Sequence, residues 1–245
     1  MAFYVQWLRS LIFAIQMYAA MATLALLFIP LSVFDREWAY RGIRVFCRWV
    51  RFSADRLAGL TSEVRGDVPL GDVLVCAKHQ SFFDIILICS VLPRPRFVMK
   101  KQLVWAPIVG YMAMRIGCVA IDRGKKSAAI KQLLKSALKK PFDAPAQLVI
   151  YPQGTRVAPG VRKPYKVGAA VLYESMEIEC VPAATNVGVF WPRRRIYRKP
   201  GNAVVEFLES IPPGGGASEF LGILENKIES ASNRLMSEAK VNDQY

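Results

Sequence analysis

The chain has 245 residues, 53% hydrophobic and 21% charged, with 33 Lys plus Arg against 19 Asp plus Glu, a formal net charge of +14. This length suits one full domain with a small appendage and excludes two ordinary domains, and the apolar fraction excludes a disordered or low-complexity chain. Basic excess and apolar excess together point to phosphate groups at a lipid surface.

From Ser10 to Phe34 no residue is charged. As a helix, these roughly 25 residues reach about 37 Å, longer than a bilayer core of about 30 Å. The run exceeds the ~7–15 apolar residues of a signal peptide, so a membrane segment is expected. Apolarity alone leaves open whether it crosses the bilayer or enters one leaflet. Between Trp38 and Ala58, Arg41, Arg44, Arg48 and Arg51 recur at three- and four-residue steps, and Ile43, Phe46, Cys47, Val50, Ala54 and Leu57 do so on another face. This pattern predicts a helix lying in the headgroup layer, although a surface helix packed on a domain carries the same stripe. Only Arg9 precedes the apolar run, so the positive-inside bias places the remainder of the chain on the cytoplasmic side.

From about Glu63 the pattern alternates. Strands are predicted at Val73–Ala77, Phe97–Met99, Cys118–Ile121, Gln147–Tyr151, Glu179–Ala184 and Ala203–Leu208. Helices are predicted at Ser81–Val91, Ser127–Lys140, Lys166–Ser175 and from Ser218 to about Glu238. This alternation indicates an α/β domain with a central sheet. Residues 1–60 are expected to form a membrane-associated helical segment and 61–245 the α/β domain. Cys47, Cys76, Cys89, Cys118 and Cys180 are odd in number and never spaced C-x-x-C, which argues for reduced, mostly buried thiols.

Chemistry concentrates in three short stretches. Lys78-His79-Gln80-Ser81-Phe82-Phe83-Asp84 follows a strand and opens a helix, and it holds the chain's single histidine. Ser81-x-x-Asp84 has capping-box spacing. Asp84 could also orient His79 as a general base. Five helical steps rotate about 140°, so the pair meets only if His79 sits in the turn before the helix and folds back. In Ile121-Asp122-Arg123-Gly124 a strand ends in a turn suited to an anion. In Tyr151-Pro152-Gln153-Gly154-Thr155-Arg156 another strand empties into a turn with a hydroxyl and a guanidinium. Taken singly, each stretch reads equally well as an ordinary turn or cap.

In this order, and followed by Val181-Pro182, the stretches resemble the four motifs of the glycerolipid acyltransferase family, whose first motif is N-H-x-S-x-x-D. The resemblance includes Lys100-Lys101-Gln102-Leu103, Pro107, Gly110 and Tyr165-Lys166-x-Gly168-Ala169, and covers about Val73 to Ala184. Lys78 departs from the usual Asn, Gln153 from the commoner Glu, and Tyr151 from Phe. The fold implied is a central mixed sheet flanked by helices, preceded by a membrane-associated two-helix segment.

The activity implied is acyl transfer from a thioester to the sn-2 hydroxyl of lysophosphatidic acid, giving phosphatidic acid. His79, held by Asp84, is the expected base. Arg123, Gly154, Thr155 and Arg156 are expected to hold the acceptor phosphate, with Lys101, Gln153 and Lys166 in support. Backbone N–H groups near Ser81 are expected to stabilise the oxyanion, and Gln153→Glu to be tolerated. No metal or cofactor is implied. The donor implied is acyl coenzyme A or acyl carrier protein, and the other partners are membrane lipids with anionic headgroups, with no nucleic acid. The location implied is a bacterial-type inner membrane with the catalytic domain facing the cytoplasm. An acyltransferase for a phosphate-free lysolipid, such as a lyso-ornithine lipid, would need the arginines less. A non-catalytic membrane-anchored protein binding anionic lipid or nucleic acid would leave the His79–Asp84 spacing unexplained.

Overall fold

The computed structural model describes residues 2–122, 126–138 and 144–241; Arg123 lies outside the described residues. The apolar N-terminal run forms α1 (Ala2–Phe34), long and apolar enough to cross a bilayer. One face, with Phe13, Met17, Ala25 and Phe28, is buried against the rest of the chain, while Tyr4, Leu8, Ile15, Leu26 and Phe34 are exposed. The helix is tied down at both ends. Near its start the Gln6 amide donates to the carbonyls of Ala58 and Arg198, both at 2.8 Å. Near its end Arg115 donates to the carbonyls of Ser32 and Val33.

After a short turn the chain reverses into α2 (Glu37–Ala58), which Gly59 terminates in the left-handed conformation that suits a helix C-terminus (φ 66°). Its inner face, with Ala39, Tyr40, Cys47, Val50, Ala54 and Ala58, packs into the core. The basic stripe divides in consequence. Arg44 donates to Pro93 O, and Arg51 donates to the Ser62 and Ser90 hydroxyls and to Ser62 O. Arg41 and Arg48 face outward. The headgroup-facing stripe expected from sequence is therefore half engaged by the domain, because one side of the helix docks on it.

Seven strands form one mixed sheet in the order β1-β7-β6-β2-β5-β3-β4. They are β1 (Leu60–Arg65), β2 (Val73–Ala77), β3 (Pro95–Lys100), β4 (Val119–Ile121), β5 (Gln147–Ile150), β6 (Cys180–Thr185) and β7 (Gly201–Phe207). Strands β6, β2, β5, β3 and β4 run parallel. β7 is antiparallel to β6, and β1 follows β7 in parallel register. Both β2 and β5 are buried along their whole length, which suits near-continuous Val, Leu and Ile.

Helices cover both sheet faces. Residues of α1, α2, α3 (Phe83–Val91) and α4 (Val109–Arg115) pack with Val73, Val75 and Ala77. Residues of α5 (Lys126–Leu138), α6 (Gly168–Met176) and α7 (Ala217–Val241) pack with Leu74 and Cys76. The expected strands appear within a few residues. β1 lies where the sequence suggested a boundary, and the short α4 was not anticipated. All five cysteines are buried and free.

Candidate active site

Because β2, β3, β4, β5 and β6 are parallel, their C-terminal ends share one edge of the sheet. That edge is where open α/β sheets place their ligands. His79 leaves β2 there, and the turn after β5 lies beside it, with the Val157 N–H donating to His79 O at 2.8 Å.

His79 occupies the turn before α3 and folds back, so that Nδ1 lies 2.9 Å from Asp84 Oδ1. Asp84 is fully buried, and its carboxylate is a collecting point for donors. Oδ2 accepts from the Gln80 and Ser81 N–H groups, each at 2.8 Å, and Oδ1 from the Tyr151 hydroxyl at 3.3 Å. The Phe83 N–H donates to Ser81 Oγ at 3.3 Å. The turn that leads into α3 and the orientation of His79 are therefore fixed by the same carboxylate.

This arrangement narrows one expectation. The Gln80 and Ser81 N–H groups already serve Asp84, so neither is available to an oxyanion. A buried carboxylate on Nδ1 selects the tautomer that leaves Nε2 as acceptor. The Tyr151 ring stacks on the imidazole at 3.9 Å between centroids and 18° between planes, which limits ring rotation. Burial, reinforced by Asp84, pushes the Tyr151 phenol well above its ordinary pKa, so it stays a neutral donor.

The turn after β5 carries Gly154 at φ 68°, where side chains are strained. A Cβ there would also lie 2.9 Å from Lys166 Nζ, so Lys166 lies over the turn. The Lys166 N–H donates to Pro152 O at 2.9 Å. Thr155 and Arg156 are half-buried in the same turn. Arg156 directly precedes Val157, whose N–H bonds to His79 O, so its backbone runs beside the histidine turn. Lys101 is exposed at the end of β3, where a short 3-10 turn begins. The matched Gly110 is needed because a Cβ would lie 2.2 Å from Val104 O. The structure thus brings His79, Asp84, Gly154, Thr155, Arg156 and Lys166 to one edge, with Lys101 on the neighbouring strand end.

Beneath them is a network that sequence reading missed. Lys78, 3% exposed, places Nζ 2.6 and 2.7 Å from the two oxygens of Glu229 on α7. The Tyr165 hydroxyl donates to Glu229 Oε1 at 2.9 Å, and Gln153 Nε2 approaches the same oxygen at 3.4 Å. Two of the three positions that depart from the family pattern, 78 and 153, therefore meet on one carboxylate. Burial and that carboxylate raise the Tyr165 phenol above its ordinary pKa.

Comparison with known proteins bears on the family and the fold. Residues 61–186 match the family described as Acyltransferase. Over 242 residues, 96% of this chain and 92% of the relative, the chain is 26% identical to a 1-acyl-sn-glycerol-3-phosphate acyltransferase of Pseudomonas aeruginosa. A protein of the same name from Helicobacter pylori is 34% identical over 128 residues, 51% of this chain and 53% of the relative. In fold, the chain is similar to the crystal structure of the 1-acyl-sn-glycerophosphate acyltransferase PlsC from Thermotoga maritima. That match has a TM-score of 0.75 and 18% identity, and covers 96% of this chain and 99% of that one.

Proposed function

The chain belongs to the acyltransferase family, and on that premise we propose that it acylates the sn-2 hydroxyl of 1-acylglycerol 3-phosphate to give phosphatidic acid. The observation that carries the reading is the His79 Nδ1–Asp84 bond of 2.9 Å, made to a carboxylate fixed by two backbone N–H groups. In this reading Nδ1–H donates to Asp84, and Nε2 takes the proton from the acceptor hydroxyl. The oxygen then attacks the thioester carbonyl directly and the thiolate leaves. Arg156 and Thr155, with the backbone of Gly154, hold the acceptor phosphate; Arg123 is assigned the same task. Lys101, Gln153 and Lys166 support that site by charge and hydrogen bonding. The donor is acyl coenzyme A or acyl carrier protein.

Residues 61–245 form the catalytic domain in this reading, and residues 1–60 associate with the membrane, with the domain on the cytoplasmic side. Phe83 and Phe13 both pack on Trp191, at 5.0 and 5.4 Å between ring centroids. The helix that carries Asp84 is thereby linked to the apolar α1.

The test uses the purified full-length protein, assayed with lysophosphatidic acid and with a phosphate-free lysolipid, and with both donors. His79→Ala is expected to lose ~10²–10⁴-fold in turnover while remaining folded. Near-normal turnover in a folded His79→Ala protein would overturn the mechanism. Arg156→Ala is expected to raise the acceptor KM roughly ten- to hundredfold for the phosphorylated substrate only. An equal rise on the neutral lysolipid would remove the phosphate role.

A further inference from the structure

We propose that Arg193, Arg194 and Arg195, together with the N-terminal end of α1, form a patch that binds the anionic headgroup layer of one bilayer leaflet. The proposal deepens the membrane association of residues 1–60 and rests on it. The three arginines are exposed and sit in a loop that leaves the catalytic edge of the sheet after β6. The loop is built rather than slack. The buried Arg198 lies over the Trp191 ring at 4.0 Å, and its Nη1 donates to the carbonyls of Arg195, Ile196 and Tyr197. The Lys199 N–H closes the base on Phe190 O at 2.8 Å. One guanidinium thus gathers three successive carbonyls inward.

The loop is also continuous with α1. Gln6 donates to Arg198 O, the Arg198 N–H donates to Ser10 Oγ at 2.9 Å, and Phe3 stacks on Tyr197 with 17° between ring planes. Ile196 next to the arginines is exposed, and so are Tyr4, Val5 and Leu8 on the first turns of α1, whose Phe3, Gln6 and Ser10 hold the loop. Three exposed cations on a loop fastened to the start of an apolar helix match the layered chemistry of a leaflet: phosphate outside and hydrocarbon within. A soluble acidic partner would use the arginines and leave the apolar border without a role. The α2 stripe is the weaker candidate, since Arg44 and Arg51 are engaged by the domain.

The test is equilibrium flotation of the full-length protein with phosphatidylcholine vesicles and with mixed phosphatidylcholine–phosphatidylglycerol vesicles, without substrate. Replacing Arg193, Arg194 and Arg195 together by Gln is expected to weaken binding to the mixed vesicles by roughly ten- to hundredfold. Binding to neutral vesicles and turnover in detergent micelles should be unchanged. The triple Lys replacement should retain binding, because headgroup attraction needs charge rather than a planar fork, and salt should weaken it. Unchanged anionic-vesicle binding of the Gln variant overturns the proposal. So does an equal loss on neutral vesicles, which would make the loop structural. A raised KM for acyl carrier protein with vesicle binding intact would also overturn it and assign the patch to an acidic protein. Turnover is read separately, so a failed acyltransferase assignment leaves the flotation result interpretable.

Discussion

Lys78 and Glu229 are 151 positions apart in sequence and form the most deeply buried Lys–carboxylate pair among the described residues. Removing one partner leaves an unpaired charge in the interior, so Glu229→Gln alone is expected to cost ~3–5 kcal/mol in denaturant unfolding. Family resemblance suggested that Gln153→Glu is harmless. The structure argues against this, because a carboxylate at 153 would face Glu229 across the 3.4 Å now spanned by the amide, and Lys78 is already paired with Glu229. Gln153→Glu should therefore destabilise the fold, and adding Glu229→Gln should restore it by returning one carboxylate to Lys78. A double variant no better than either single one would show that the two positions do not share that charge. The raised phenols of Tyr151 and Tyr165 predict a pH dependence with a definite sign. Both stay protonated in the folded chain while the unfolded chain ionises near 10. Their contribution is fully present below pH 10 and falls as pH rises beyond it. The Tm of the protein should decline above pH 10, and Tyr151→Phe should flatten part of that decline.

At the scale of elements, α2 shows what a repeat of arginines can and cannot reveal. Arg51 makes hydrogen bonds of 2.9, 2.9 and 3.1 Å to Ser62 and Ser90, so Arg51→Ala is expected to cost ~2–3 kcal/mol. Arg48→Ala, on the outward side, should stay within ~0.5 kcal/mol. Paired thermal melts in one detergent separate the two cases. Three- and four-residue spacing made the helix legible, but no periodicity says which side of a broad basic face will dock. Strands β2 and β5 were legible because a strand buried on both faces reads as an unbroken apolar run. β1 was not, because Leu60-Thr61-Ser62-Glu63-Val64-Arg65 is an edge strand whose place depends on β7, about 140 residues later. The histidine turn was legible from five-residue geometry, whereas the Lys78–Glu229 pair has no local signature.

For the molecule as a whole, α1 decides the relation to the bilayer. Its 33 residues span about 50 Å, yet Gln6 at one end and Ser32 and Val33 at the other are all bonded to the body of the protein. A helix fastened at both ends to one domain cannot carry those ends to opposite faces of a membrane. A cleavable tag before Met1 should therefore be cut from the same side of sealed vesicles as one after Tyr245. Protection of the first tag alone would mean that the helix crosses and that the Gln6–Arg198 contact breaks in the membrane.

The Lys78–Glu229 bond also sets a schedule for biosynthesis. At roughly 5–20 residues per second, α7 emerges after the histidine turn by on the order of ten to thirty seconds. The apolar α1 and α2 emerge first and can reach lipid early, while the ammonium beneath the histidine turn waits for its counter-charge. β1 likewise waits for β7. If α1 attaches to the membrane as proposed, attachment precedes assembly of the floor beneath the histidine turn, and any ribosome that stops before Glu229 leaves an anchored but incomplete chain.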